Sequence, residues 1–235
     1  MKRINYGFEV LVHGNPVREY PHGDLTYIEG RKGSKFSLRV INDSFESILA
    51  VITIDGRSIM DGKAGSYESS GYVIRPRQSG VIPGWRLDND GVADFFFTPK
   101  GEGYAESMGH PENVGLIGCA IFREKARPVF AFPSFEPGVR GWDPAKYGDP
   151  LGLRSSEAIS KGISTGFGDR SEHRVETVGF ERASATPAAI LILNYREREE
   201  LIRLGVNLRP RQEVAQAFPG QSTGCTPPPG WKEKY

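Results

Sequence analysis

The chain is short of the residues that most often carry chemistry. Its 235 residues include 2 cysteines, 4 histidines, 3 methionines and 3 tryptophans. Two cysteines do not make a disulfide framework. Cys119 falls in the apolar run 114–122, where a buried thiol is inert, and Cys225 falls among glycines and prolines, so a bond between them is left open. His13, His22, His110 and His173 never pair at the i, i+4 spacing of a helical zinc site, and neither HExxH nor CxxC occurs. A GxSxG nucleophile elbow and a Walker loop are missing too. No catalytic residue, metal ligand or cofactor is therefore expected, and a hydrolase would need a site assembled from distant carboxylates among the 29 acids.

An excess of one charge is also lacking. Lysine plus arginine is 30 against 29 acids, so nothing global steers the chain towards nucleic acid or anionic lipid. Arg75 and Arg77 flank Pro76, and Arg209 and Arg211 flank Pro210; both pairs read as solvated turns. No apolar run is long enough to span a membrane, and Met1 leads into a strand-like segment without a signal h-region.

What is abundant is turn chemistry. Gly at 29 and Pro at 17 suit many short strands joined by tight turns. Phe8, Val10 and Val12 alternate with Glu9, Leu11 and His13, and Phe36, Leu38 and Val40 alternate with Ser37 and Arg39. That period of two marks half-buried strands. Residues 48–54 are apolar on both faces and predict a central strand. Asp55-Gly56 and Asp61-Gly62 predict type I′ turns. Further strands are predicted at 71–75, at Trp85-Arg86, and over 92–98 and 114–122. Asp88-Asn89-Asp90-Gly91 has half of a calcium loop without its closing Glu, and reads as a hairpin turn. The predicted fold is mainly β: an antiparallel β-sandwich or jelly roll over residues 1–124, with Val51, Phe95, Phe97 and Ile117 in its core.

Residues 125–170 change character. Five prolines break the stretch, and Phe130, Phe132, Phe135 and Trp142 stand between them, predicting an extended arm whose rings anchor contacts with a neighbour. Gly162 to Gly168 predicts a turn anchored by Phe167. Residues 171–235 predict a small C-terminal β/α extension: strands near 174–181 and 188–195, then a short helix over 197–204 with Gly205 as its left-handed cap. A Pro-rich tail follows and docks through Trp231. Tyr67, Tyr72, Trp85 and Tyr104 offer an alternative, a platform of flat rings on which a sugar could stack.

The segments Ile54-Asp55-Gly56, Asp61-Gly62-Lys63, Gly71-Tyr72-Val73, Pro83-Gly84-Trp85-Arg86 and Asn113 to Gly118 resemble those of uncharacterised β-sandwich proteins of bacterial and phage genomes, some of which look like virion components. The resemblance rests on turn and packing residues and brings no catalytic residue with it. It implies a non-enzymatic structural protein of an assembly: a bacteriophage minor capsid, cement or vertex protein, with further copies or capsid proteins as partners. The expected location is the virion if the chain is phage-encoded, and otherwise the cytoplasm or release without a signal peptide. A carbohydrate-binding or adhesin-like domain with a glycan partner is the second reading, and a hydrolase the third.

Overall fold

The computed structural model describes residues 1–109, 112–126 and 162–208. Its architecture is mainly β, two sheets packed face to face. The strand predicted to be central, β7 (Ile48–Ile54), is buried on both faces. Ile48, Ala50, Ile52 and Ile54 point into the space between the sheets. Leu49 and Val51 point the other way, into a separate cluster with Ala120 and Phe122. Val51 is therefore buried, but not between the sheets as the sequence suggested; an odd position on this strand cannot share the face of the even ones.

Around β7 the second sheet has seven strands. On one side lies β13 (Leu116–Arg123), then β15 (Ala189–Arg196), β5 (Leu25–Glu29) and β4 (Glu19–His22); on the other, β8 (Arg57–Ser58) and β9 (Tyr72–Ile74) pair with successive parts of β7. The β15–β5 pair is parallel. The first sheet has eight strands. Its body is β2 (Tyr6–Val12), β6 (Lys35–Asn42), β12 (Gly91–Pro99) and β14 (Ile163–Glu172), with β1 (Lys2–Arg3) and β3 (Asn15–Pro16) beside β2, β10 (Gln78–Ile82) on β6 and β11 (Gly84–Arg86) on β12. Phe36 stacks on Phe95 and Phe97 at centroid distances of 5.3 and 4.4 Å, and with Ile117 these rings are fully enclosed between the sheets. Truncating such a ring to alanine costs about 3–5 kcal/mol.

The boundaries expected at 124 and 170 do not divide the molecule. β14 hydrogen-bonds along β12 from Pro99 to Gly91, and β15 fills the place between β13 and β5. The late strands are thus integral to the sandwich, not an extension of it. Glycines 166 and 168 are in β14 and form no turn: a Cβ at Gly166 would stand 2.3 Å from the Phe96 ring, and one at Gly168 would stand 2.7 Å from the Asp94 carbonyl. Glycine here makes room for a cross-strand neighbour. The register of β14 slips between Ala93 and Phe95, leaving Gly168 and Asp169 together opposite Asp94, a β-bulge on the sheet's edge strand. The strand expected near 174–181 is absent; that segment crosses the edge of the sandwich instead. Helix α2 (Arg198–Arg203) ends at Leu204 with Gly205 at φ 76°.

The turn chemistry is mixed. Asp55 and Gly56 both have positive φ, 52° and 76°, as a type I′ turn requires. At Asp61-Gly62 only the glycine does, at 70°. That turn is held by the Asp61 carboxylate accepting the Lys63 N–H at 3.2 Å, so the type I′ expectation fails there.

Candidate functional site

The segment from His173 to Arg182 lies as a strap across the open edge of the sandwich. At one end His173 and Val175 donate backbone N–H groups to Asp90 and Asn89, at 2.8 and 2.9 Å. These acceptors sit in the Asp88-Asn89-Asp90-Gly91 turn, which the Asp88 carboxylate closes by accepting the N–H groups of Asp90 and Gly91 at 2.9 and 2.8 Å. At the other end Glu181 O accepts from the Lys125 N–H at 2.8 Å, while Arg182 donates to Ser69 O at 2.9 Å and lies over the Phe122 ring at 4.5 Å. Between these anchors a groove of about 940 Å³ opens along β9. Val73, Phe180 and Val178 supply its apolar surface, and Val178 is 54% exposed. Among the described residues β9 pairs with β7 along one side only.

Arg86 fixes the strap to the sheet. Its guanidinium donates to the Tyr72 hydroxyl at 2.7 and 3.1 Å, to His173 O at 2.7 Å and to Asp88 O at 3.1 Å, and meets His173 Nδ1 at 2.6 Å. Since that nitrogen faces a donor, it accepts, and the proton sits on Nε2, 3.1 Å from Val81 O. Burial, together with the adjacent guanidinium, holds His173 below the ordinary histidine range. Burial likewise raises the Tyr72 phenol, against the opposing pull of Arg86. The groove wall carries both signs: Arg75, Arg86 and Arg182 against Glu68, Glu176 and Glu181. Glu181 pairs with Lys125, whereas Arg75, Glu68 and Glu176 form no ion pair among the described residues.

A second polar cluster lies inside. Asp55, 1% exposed, accepts from the Tyr195 hydroxyl at 2.7 Å, the N–H groups of Gly115 and Thr165 at 2.8 and 3.0 Å, and the Ser164 hydroxyl at 3.2 Å. Burial pushes its carboxyl up to about 6 despite these donors. Tyr195, wholly buried beside it, is held well above the usual phenol range by desolvation and by the carboxylate. The cluster's burial keeps it from any solvent-borne substrate.

Of the four rings expected to form a sugar platform, Tyr72 alone belongs to the groove. Trp85 is 2% exposed, packs on Tyr104 at 4.8 Å and Phe95 at 5.4 Å, and donates its indole N–H to Gly166 O at 3.1 Å. Tyr104, opening helix α1 (Tyr104–Ser107), packs on Phe167 at 5.1 Å. Tyr67 lies on the outer face of the second sheet, edge-on to Phe122 at 6.1 Å. The four do not share a face, and Trp85 has no surface to offer a pyranose. Phe130, Phe132, Phe135, Trp142 and Trp231 lie outside the described residues, as does Cys225. Cys119 is in the interior cluster, where burial pushes its thiol up and leaves it inert. Among the described residues no three His, Cys, Asp or Glu side chains converge as metal ligands, and no helix is long and apolar enough to cross a membrane.

Sequence reasoning missed Arg86 and His173 as partners. They are 87 residues apart, and only the return of β14 brings them together. The chain matches no family model, no curated protein and no solved structure.

Proposed function

We propose that the protein is a non-enzymatic structural component of an assembly, and that an extended segment of a neighbouring subunit lies in the groove beside β9. The groove itself carries this reading. Among the described residues β9 is an edge strand paired on one side, and such an edge offers main-chain groups to an added strand that side chains on the walls select. Arg75 on one part of the wall and Glu68 and Glu176 on another suit a segment bearing both an acid and a base. The setting in a bacterial virus, as a minor capsid, cement or vertex protein, draws on the resemblance of the turn segments. The dispersal of Tyr67, Tyr72, Trp85 and Tyr104 removes the support for a sugar-binding face.

Val178→Asp tests the docking directly, because Val178 is exposed and its loss leaves the sandwich core untouched. The variant should keep its melting temperature and lose co-sedimentation with particles, or self-association measured by analytical ultracentrifugation. A variant that associates as the parent does would overturn the assignment of the groove.

A further inference from the structure

We infer that Asp55 forms a proton-dependent clasp between the two sheets, which holds the edge strand β14 firmly while the carboxyl is protonated and lets it open once the carboxyl ionises. The geometry joins three separate parts of the chain. Asp55 leaves the end of β7 in a left-handed turn, Ser164 and Thr165 come from β14 of the other sheet, and Tyr195 comes from β15. Gly115 adds a backbone N–H from the turn before β13. Among the described residues no other buried carboxyl ties β14 to the second sheet.

Both protonation states find partners. The ionised carboxylate accepts from all four groups. The protonated form can donate to the Tyr195 oxygen, whose own proton then turns to Thr165 Oγ1 at 3.1 Å. What separates the states is the cost of a charge held away from water. The titratable group facing Asp55 is Tyr195, which stays protonated throughout the range considered. The two nearby cations point elsewhere, Arg57 at Gly62 O and Arg196 at Gly115 O, and so do not neutralise it.

The direction of the effect follows from the two affinities. The folded carboxyl keeps its proton up to about pH 6, whereas the ordinary value is 3.8. The clasp therefore contributes in full below about pH 4, and its contribution is lost as the pH rises through 6. Across that window the opening constant should rise by roughly 100-fold, each pH unit between the two affinities being tenfold.

Hydrogen exchange of the Thr165 amide, corrected for the intrinsic rate, reads this opening between pH 4.5 and 7.5. Protection should fall by roughly 30-fold in the parent over this range, the first part of the change lying below pH 4.5. In Asp55→Asn, which keeps the shape and removes the titration, it should stay level. Carbon NMR of the Asp55 carboxyl in the unaltered protein is the second reading and needs no variant to fold. A midpoint near 6 supports the clasp; a midpoint in the ordinary aspartate range, or an equal slope in Asp55→Asn, overturns it.

Discussion

Replacing Arg86 with alanine should release the strap while leaving the sandwich folded. The guanidinium makes two contacts with the Tyr72 hydroxyl, one with His173 O and one with His173 Nδ1. Charge-assisted bonds contribute roughly 1.5–3 kcal/mol each, so a simple sum would reach about 6–12 kcal/mol. That sum overstates the loss, because the site is half open and water replaces the donor at His173 O and Asp88 O. What water does not restore is the partner of the enclosed Tyr72 hydroxyl and the packing of the Arg86 stem. The expected cost is about 2–4 kcal/mol, with Arg86→Lys between the variant and the parent because an ammonium cannot reproduce the planar fork. Urea unfolding gives the total. Hydrogen exchange locates it: the His173 and Val175 amides, bonded to Asp90 and Asn89, should lose protection first, and the core amides of β7 should not. Unchanged protection at these two amides, with an unchanged urea midpoint, would refute Arg86 as the strap's anchor.

Three further outcomes follow from the same structure. Gly84→Ala should destabilise by about 1–3 kcal/mol, since its Cβ would stand 2.1 Å from the backbone oxygen of Ala93 and would push β11 off β12; thermal melting checks this. Gly56→Val should cost about 1 kcal/mol or more, because a β-branched residue resists a φ of 76° and its Cβ would press on Asn113; a chelator added to the parent should leave the melting temperature alone, the Asp55-Gly56 turn being structural. His173 gives a pH dependence opposite to that of Asp55. Its folded form is kept neutral below the ordinary value of 6.5, so the strap's stability is present above that value and is lost as the pH falls; His173→Gln should flatten that limb in strap hydrogen exchange.

Period-two alternation made β2 and β6 legible from the sequence, an unbroken apolar run made β7 so, and the helix was legible from the placement of Gly205 as its cap. β14 was not. Gly162, Gly166 and Gly168 carry a turn signal locally, and only the Phe96 ring on the facing strand gives Gly166 a different purpose. The strand expected at 174–181 had the right residues, but its ends are held by the turn at Asn89 and Asp90 and by the Lys125 N–H, and the groove separates the stretch between from β9. The groove was invisible for a related reason. Its walls come from residues 49–89 and 175–182, and no spacing along the chain announces that they meet. Asp55 was legible as a turn residue. That its carboxyl also reaches Ser164, Thr165 and Tyr195 could not be seen before the late strands were placed.

The position of β15 governs the order of events during synthesis. Asn194 sits beside Tyr27, 167 residues earlier in the chain, and on its other side beside Leu116. Until the ribosome has passed Arg196, β5 and β13 each present a bare hydrogen-bonding edge, and the cluster that Leu191, Leu193 and Tyr195 complete remains open to water. Contacts of such long range close slowly. A nascent chain of this design therefore waits, collapsed but unfinished, for β15. That waiting time is when chaperones would hold it and when crowded copies would aggregate.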